Sequence, residues 1–309
     1  MTAPSPLVVV SVVNWNTPDR SLACMRALRA STYTNFRIVL VDNNSRDDSV
    51  ARFRAEMPEL DVLTPNENRG FAAGHGLALA RARQLGADAL WLVNSDALAE
   101  PEALQHLVDA QAEHGAAIYG GVPLRRAGDG TALLDFPAKF LDEQARPRAF
   151  LRDAEIPFDA DWQQRGALRV GAVPGSSMFI PLSVVATHGW LDESWFMHCE
   201  EIDFCYRLRA AGIARFLVPA SRVWHEDGGS SAGRPRVADV IRYYRARNEI
   251  LLARRYGKPG TAPLIALKKV LRATAALPHG LFRARCILRG AWDGWRGVIG
   301  KTLSPDDFL

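Results

Sequence analysis

A chain of 309 residues, 48% hydrophobic and 23% charged, is long enough for one large α/β domain with an appendage, and this composition excludes a mainly disordered protein. Four cysteines without a CxxC pair exclude a zinc knuckle and a disulfide framework, and suit a reducing compartment. The net charge of +4 is unevenly divided: positions 258–301 hold nine Lys or Arg and one acid, a local +8 that leaves −4 on the remainder. That asymmetry points to a negatively charged partner at the C-terminal end, and the acidic body argues against nucleic acid.

The first six residues lack the basic-then-apolar layout of a signal peptide, and no apolar run approaches the roughly 20 residues that a bilayer demands. A cytoplasmic location is the expectation. Residues 7–13 form a continuous β-branched run, the mark of a strand buried on both faces. A helix is expected over 18–29, a second strand over 36–41, a helix over 47–57 and a short strand over 61–64. An Ala- and Leu-rich helix follows over 70–86, then a buried strand over 89–93 and a helix over 101–114 with Pro101 in its first turn. Strands alternating with helices predict a mostly parallel sheet flanked by helices, whose ligand site lies beyond the C-terminal strand ends. From 121 to 169 the periodicity fades, an excursion suited to shaping an acceptor side. Strand-like sequence returns over 170–181 and 214–218, with helices over 200–211 and 237–256. Residues 261–300 read as two further helices broken near Pro278.

Chemistry-bearing residues gather where strands end. Asn94-Ser95-Asp96 follows a buried strand, and one Asp there can help hold Mg²⁺ or Mn²⁺ against a diphosphate, or simply cap the next helix. Asp42 leads into Asn43, Asn44 and Ser45, where it can receive a nucleotide base N–H or close a turn. Arg69 precedes a helix in a glycine-containing loop and suits phosphate or base recognition, while Gly70 and Gly74 alternatively serve close helix packing. The densest acid cluster, Glu200, Glu201 and Asp203, opens a helix in apolar surroundings. One of its members can take a proton from a hydroxyl, or the three can complement the helix dipole with Asp203 paired to Arg207. His225 can join Asp96 on a cation or donate to a phosphate.

Taken together, these pieces resemble glycosyltransferase family 2, and within it the bacterial rhamnosyltransferase-like branch. The matching residues come in the family's order: Val12-Val-Asn-Trp-Asn16, Val41-Asp-Asn-Asn-Ser45, Asn66-Glu-Asn-Arg-Gly-Phe-Ala-Ala-Gly74 and Leu92-Val-Asn-Ser-Asp96. Gly189-Trp-Leu-Asp-Glu193, the acid cluster, His225 with Gly228 and Ser230, and Tyr243-Tyr-Arg-Ala-Arg-Asn248 continue the series. The resemblance implies a GT-A fold, with a catalytic domain over 1–257 and a basic amphipathic helical extension over 258–309. Residues up to about 120 form the nucleotide-binding half and the rest of the domain the acceptor half.

It further implies a nucleotide-sugar donor, Mg²⁺ or Mn²⁺, and inversion at the anomeric carbon. Asp96 and His225 fall at metal-binding positions, and Asn14, Asn16, Asp42, Asn44, Arg69, Asn94 and Ser95 are expected to line the donor site. Glu201 falls at the base position, where the family usually has Asp, so Asp203 and Glu200 stand as rivals. Only the last acid of the family's DXD pattern is present.

The branch suggests rhamnose from dTDP-rhamnose, otherwise a UDP-sugar, passed to a glycan or polyprenyl-diphosphate-linked acceptor. The extension interleaves cations with Leu and Trp, a pattern suited either to an anionic membrane surface or to a solvated basic face. A nucleotide-binding or membrane-surface scaffold with a lapsed active site is the competing class.

Overall fold

The computed structural model describes residues 5–143, 155–225 and 233–309. Strand β1 (Val8–Asn14) is flanked on both sides by parallel partners, β2 (Phe36–Asp42) and β4 (Ala89–Asn94). β3 (Asp61–Leu63) adds a further parallel strand outside β2. Helices α1 (Pro18–Arg29), α2 (Ser49–Glu56) and α3 (Gly70–Gln84) make the crossovers that parallel pairing requires. Register sets Asn14 opposite Asp42 and Val13 opposite Asn94, so three strand ends present polar residues along one edge.

Beyond β4 the sheet is mixed. β9 (Ser177–Pro181) runs antiparallel to β4 and to β6 (Ile118–Arg126), while β10 (Arg215–His225) is parallel to β6. β5 (Ala97–Ala99) follows β4 after only Ser95 and Asp96, yet it pairs antiparallel with the end of β10. The order is β3-β2-β1-β4-β9-β6-β10-β5, with β7 (Ala132–Leu134) on β6 and β8 (Leu168–Arg169) on β10.

Alternating residues of β1 feed two cores, one on each face of the sheet. Val8, Val10 and Val12 pack with Leu22, Met25 and Leu28 of α1, Phe53 of α2, and Leu104 and Leu107 of α4 (Ala103–His114). Val9 joins the opposite core with α3, α6 (Leu182–His188) and α7 (Glu200–Ala210); the short α5 (Ala160–Gln163) adds Trp162 to it. All four cysteines are buried and free, as the missing CxxC pattern implied.

The eight elements expected up to residue 114 lie within about two residues of their observed bounds; β5, α5, α6, β7 and β8 were not expected, and β10 runs on to His225 from an expected end at 218. Pro101 sits in the turn before α4 instead of in its first helical turn, and the stretch read as an excursion from 121 contains most of β6 and all of β7. Gly228 and Ser230 lie outside the described residues.

The C-terminal segment is integral to the fold. α8 (Pro235–Tyr256) packs against α9 (Thr261–Ala275) and α10 (Leu281–Arg296), with the break between the last two at a 3-10 turn containing Pro278. Backbone meets backbone at the α8–α10 crossing. A Cβ on Gly290 would lie 2.3 Å from the Tyr243 carbonyl oxygen, and one on Gly294 would lie 2.6 Å from that of Arg247. Neither site has room for a side chain. Gly290→Val should therefore destabilise the protein by roughly 3 kcal/mol, an overpacking cost. A clear fall in Tm checks this, and an unchanged Tm would show that the two helices are not in backbone contact.

Candidate active site

Where β1 and β2 end, the polar residues bind one another. Asp42 is 2% exposed and accepts from Asn14 Nδ2 at 2.7 Å, from Ser45 Oγ at 2.7 Å and from the Ser45 amide at 3.0 Å. Two of these bonds fall on Oδ1 and one on Oδ2, so Oδ2 keeps capacity for another donor. Asp42 thus closes a turn, the bland reading of its sequence, and still presents an acceptor. Asn16 and Asn44 both adopt left-handed backbone, with φ of 54° and 63°, which asparagine tolerates better than most residues.

Asn16 Oδ1 receives the Arg46 amide at 2.7 Å, and its backbone carbonyl receives Arg234 Nη2 at 3.0 Å. Asn16 Nδ2 and Arg234 Nη1 are buried donors without a partner among the described residues. Arg69 gives its amide to Asn43 Oδ1 at 2.9 Å, while its guanidinium stays partly exposed, 3.6 Å from Glu193. Gly70 and Gly74 are packing glycines: a Cβ on Gly70 would fall 2.0 Å from the Phe196 carbonyl oxygen, and one on Gly74 would press on Val13.

A second group forms where β4 gives way to β5. The β5–β10 ladder sets Ala97 against His225, which brings the preceding Asp96 close enough for its charge to act on the imidazole. The Asp96 carboxylate makes no hydrogen bond or ion pair among the described residues. His225 Nδ1 lies 2.7 Å from Asp135 Oδ2, while its Nε2 is buried without a partner. Burial pushes the His225 pKa down, but the Asp135 hydrogen bond and the charges of Asp96 and Asp135 more than offset it, so the pKa lies above its usual value. The same hydrogen bond holds the Asp135 carboxyl below the ordinary carboxylate range.

No cluster of three His, Cys, Asp or Glu residues able to hold a metal exists among the described residues. An unpartnered carboxylate and an unpartnered imidazole nitrogen nevertheless fit a hard divalent cation whose other ligands are phosphate oxygens and water. A carboxylate behind a ligating histidine is the usual second partner, since it fixes the tautomer and orients the ring. Asn94 and Ser95 flank this corner: the Asn94 amide donates to the Ser176 carbonyl at 3.2 Å, and Ser95 occupies the turn.

The acid cluster is held by an unusual stretch of backbone. Phe196, His198 and Cys199 all have positive φ, 66°, 65° and 76°, a conformation that costs non-glycine residues energy and persists only under external support. Asn248 of α8 supplies that support, donating Nδ2 to the carbonyls of Trp195, Met197 and His198 at 3.1, 2.7 and 2.8 Å. Arg247 adds a bond to the Trp195 carbonyl at 2.9 Å. The Phe196 carbonyl in turn accepts from Phe71 at 2.8 Å, tying the stretch to α3.

The three acids then have different fates. Asp203 is fully buried and paired with Arg207 at 3.1 Å and Arg255 at 2.6 Å, with the Tyr256 hydroxyl donating at 2.8 Å. Its charge is neutralised, and the pairing with Arg207 anticipated from their spacing is formed. Glu200 is 3% exposed with Oε2 unpartnered; burial and the neighbouring Glu201 charge raise its pKa well above normal. Glu201 is only partly buried, and burial raises its pKa too. Its Cβ lies 3.4 Å from the Cβ position of Gly175, the residue before Ser176, so Glu201 adjoins the loop that holds the end of β4.

The end of the chain also reaches this cleft. Asp306 accepts from Trp15 Nε1 at 2.8 Å, Ser304 Oγ at 2.8 Å and Lys301 Nζ at 3.2 Å, and its carbonyl receives Arg46 at 2.9 Å. The last residues therefore close back on the segments that follow β1 and β2. Asp135, Arg234, Arg247 and Asp306 were not anticipated as site residues. Arg247 and Asn248 sit in a motif that the sequence singles out, while Asp135 and Asp306 carry no sequence signal.

The glycosyl transferase family 2 model matches residues 8–158. The chain is 26% identical over 295 residues to the N-acetylglucosaminyl-diphospho-decaprenol L-rhamnosyltransferase of Mycobacterium tuberculosis, covering 90% of this chain and 92% of that protein. It is 33% identical over 90 residues to the rhamnosyltransferase WbbL of Escherichia coli, covering 27% of this chain and 34% of WbbL. Among solved structures, the mannosyltransferase PcManGT from Pyrobaculum calidifontis in complex with GDP-Man and Mn²⁺ aligns with a TM-score of 0.59 at 15% identity, covering 95% of this chain and 88% of that one. GalNAc-T7 with UDP, GalNAc and Mn²⁺ aligns with a TM-score of 0.57 at 13% identity, covering 80% and 51%. The fold is thus of the GT-A type. Residues 8–158 are thus a glycosyl transferase family 2 domain, and the chain is similar over nearly its full length to a rhamnosyltransferase.

Proposed function

We propose that this glycosyltransferase is a metal-dependent, inverting enzyme that passes a sugar from a nucleotide-sugar to a hydroxyl of a lipid-linked, cell-surface glycan. Rhamnose from dTDP-rhamnose is the donor proposed first, with a UDP-sugar as the alternative; the named activities of the relatives support rhamnose. The observation that carries the reading is the juxtaposition of an unpartnered Asp96, a buried, unpartnered His225 Nε2 and a partly exposed Glu201 around the end of β4.

In this reading Asp42 accepts a base N–H through Oδ2, and Arg69 contributes positive charge on the donor side. Asn14, Asn16 and Asn44 shape the turn beneath the base, and Asn94 and Ser95 set the corner that aims Asp96. Asp96 and His225 would hold Mg²⁺ or Mn²⁺, which when bound supplies positive charge against the departing diphosphate. Asp135 keeps the imidazole proton on Nδ1, leaving the Nε2 lone pair for the cation.

Glu201 takes the acceptor proton while the acceptor oxygen bonds to the anomeric carbon and the bond to the diphosphate breaks, inverting that carbon. Glu200 is the more deeply buried of the two, and burial with the neighbouring Glu201 charge raises its pKa well above the ordinary value, so Glu201 is the acid assigned the base role. Asp203 is unsuited to the role because it is fully buried and both its oxygens are engaged, Oδ2 by Arg207 and Oδ1 by Arg255 and the Tyr256 hydroxyl.

Glu201→Gln should lower kcat by roughly 10²–10⁴-fold, the usual contribution of a general base, with donor affinity unchanged. Asp203→Asn should instead lower Tm, since Arg207 and Arg255 lose their buried counter-charge. A stable Asp203→Asn protein with lost turnover would move the base to Asp203. Because Glu201 must be ionised to act and its pKa is raised, kcat should fall on acidification through a pH above the ordinary carboxylate range. An acid limb at or below the ordinary glutamate value would contradict this. Asp135→Asn should weaken Mn²⁺ binding, measured by paramagnetic resonance in the presence of nucleoside diphosphate, by about 10–100-fold. Unchanged affinity would remove Asp135 from the metal site.

The extension is proposed to rest on an anionic membrane surface on the cytoplasmic side. Every exposed large hydrophobic among the described residues lies from position 264 onward, interleaved with Lys268, Arg285, Arg289 and Arg296. No described helix is long and apolar enough to cross a membrane.

A further inference from the structure

A cavity of about 270 Å³ opens between α8, α9 and α10, apart from the Asp96–His225 corner. Arg242, Arg245, Lys269, Arg272 and Arg283 line it, together with His279. Two carboxylates answer these five permanent cations. Asp239 pairs with Arg242 at 2.7 Å and Arg283 at 3.0 Å, and Glu249 pairs with Lys269. Arg245 and Arg272 make no hydrogen bond or ion pair among the described residues. Lys269 is 4% exposed and lies within reach of both their charges, so the cavity wall holds an uncompensated excess of positive charge around a buried ammonium.

Such an excess in a low-dielectric concavity favours an anion of two or three charges. The cavity is smaller than the roughly 300–1,000 Å³ typical of drug-sized ligands, so it suits a compact anionic group and not a whole glycan. Its surroundings narrow the choice. Arg242, Arg245 and Glu249 follow one another at helical spacings of three and four on α8, and Asn248 of the same turn holds the backbone that leads to Glu201. The charge of Arg245 reaches both His198 and Glu201. On the other side, Leu271 and Leu288 adjoin lining residues in sequence and Leu281 lies between two of them, and the three are 59%, 43% and 55% exposed.

We propose that this cavity binds the diphosphate of a prenyl-diphosphate-linked acceptor, with the prenyl chain leaving over the exposed leucines and the sugar directed toward Glu201. The placement rests on the acceptor reading given above and adds the residues that would recognise that acceptor.

The test uses the full chain and phosphatidylcholine vesicles carrying either farnesyl diphosphate or phosphatidylglycerol at matched surface charge. Inorganic pyrophosphate serves as a soluble competitor. Wild type should float with the farnesyl diphosphate vesicles at least tenfold more tightly than with phosphatidylglycerol, and pyrophosphate should displace it. Arg245→Ala and Arg272→Ala should each weaken that preference by about tenfold, the worth of a charge-assisted hydrogen bond, with Tm and nucleotide-sugar binding unchanged. Equal binding to both vesicles would reduce the cavity to general surface electrostatics and overturn the proposal, as would variants that bind farnesyl diphosphate like wild type. Transfer of sugar by a wild-type protein that shows no diphosphate preference would sink the cavity and spare the enzymatic reading. Diphosphate retention without any transfer would do the reverse.

Discussion

Three ladder positions, Ala97 against His225, Leu98 against Trp224 and Ala99 against Val223, join the exit of the parallel block to the far end of β10. Without that short antiparallel pairing, Asp96 and His225 would belong to different regions of the sheet. With it, a carboxylate and an imidazole separated by more than a hundred residues share one corner, and Asp135 completes the orientation of the ring. A two-residue turn between β4 and β5 leaves Asp96 little freedom to point elsewhere. The metal chemistry proposed for the protein depends on this backbone constraint more than on any single side chain.

The acceptor side depends on a different support. Three left-handed non-glycine residues precede α7, and the side-chain amide of Asn248 satisfies three of the carbonyls they expose. Backbone strain of this kind needs a rigid neighbour, and α8 is rigid because Gly290 and Gly294 let α10 lie directly on it. The same helix therefore links the stretch before Glu201, the basic cavity and the exposed apolar face. What reads in sequence as an appendage acts in the structure as the brace of the acid cluster, and its last residues bind Trp15 and Arg46 just after β1 and β2.

Much of this was legible in the residues. The β-branched runs of β1 and β2 and the helical periodicity between them fix the parallel block, because a strand buried on both faces has few alternatives. The alignment of Asn14, Asp42 and Asn94 along one edge followed from strand ends alone. β6 was hidden for a physical reason: Gly120, Gly121 and Pro123 weaken its strand signal, yet the glycines are needed where Val173, Pro174, Ser177 and Ser221 crowd the backbone. Asp135 was invisible because its role exists only through a partner ninety residues away. The acid cluster could not be resolved either, since Arg255 and Tyr256, which claim Asp203, come from a distant helix.

The central claim is that His225 and Asp96 meet at one cation beside the donor diphosphate. Pulsed paramagnetic resonance on Mn²⁺ bound with nucleoside diphosphate reads this directly, through the coupling of a coordinated imidazole nitrogen. Such a coupling is expected in the wild type and should vanish in His225→Ala. Tightly bound Mn²⁺ with no imidazole coupling, or with a coupling that survives the substitution, would contradict the account.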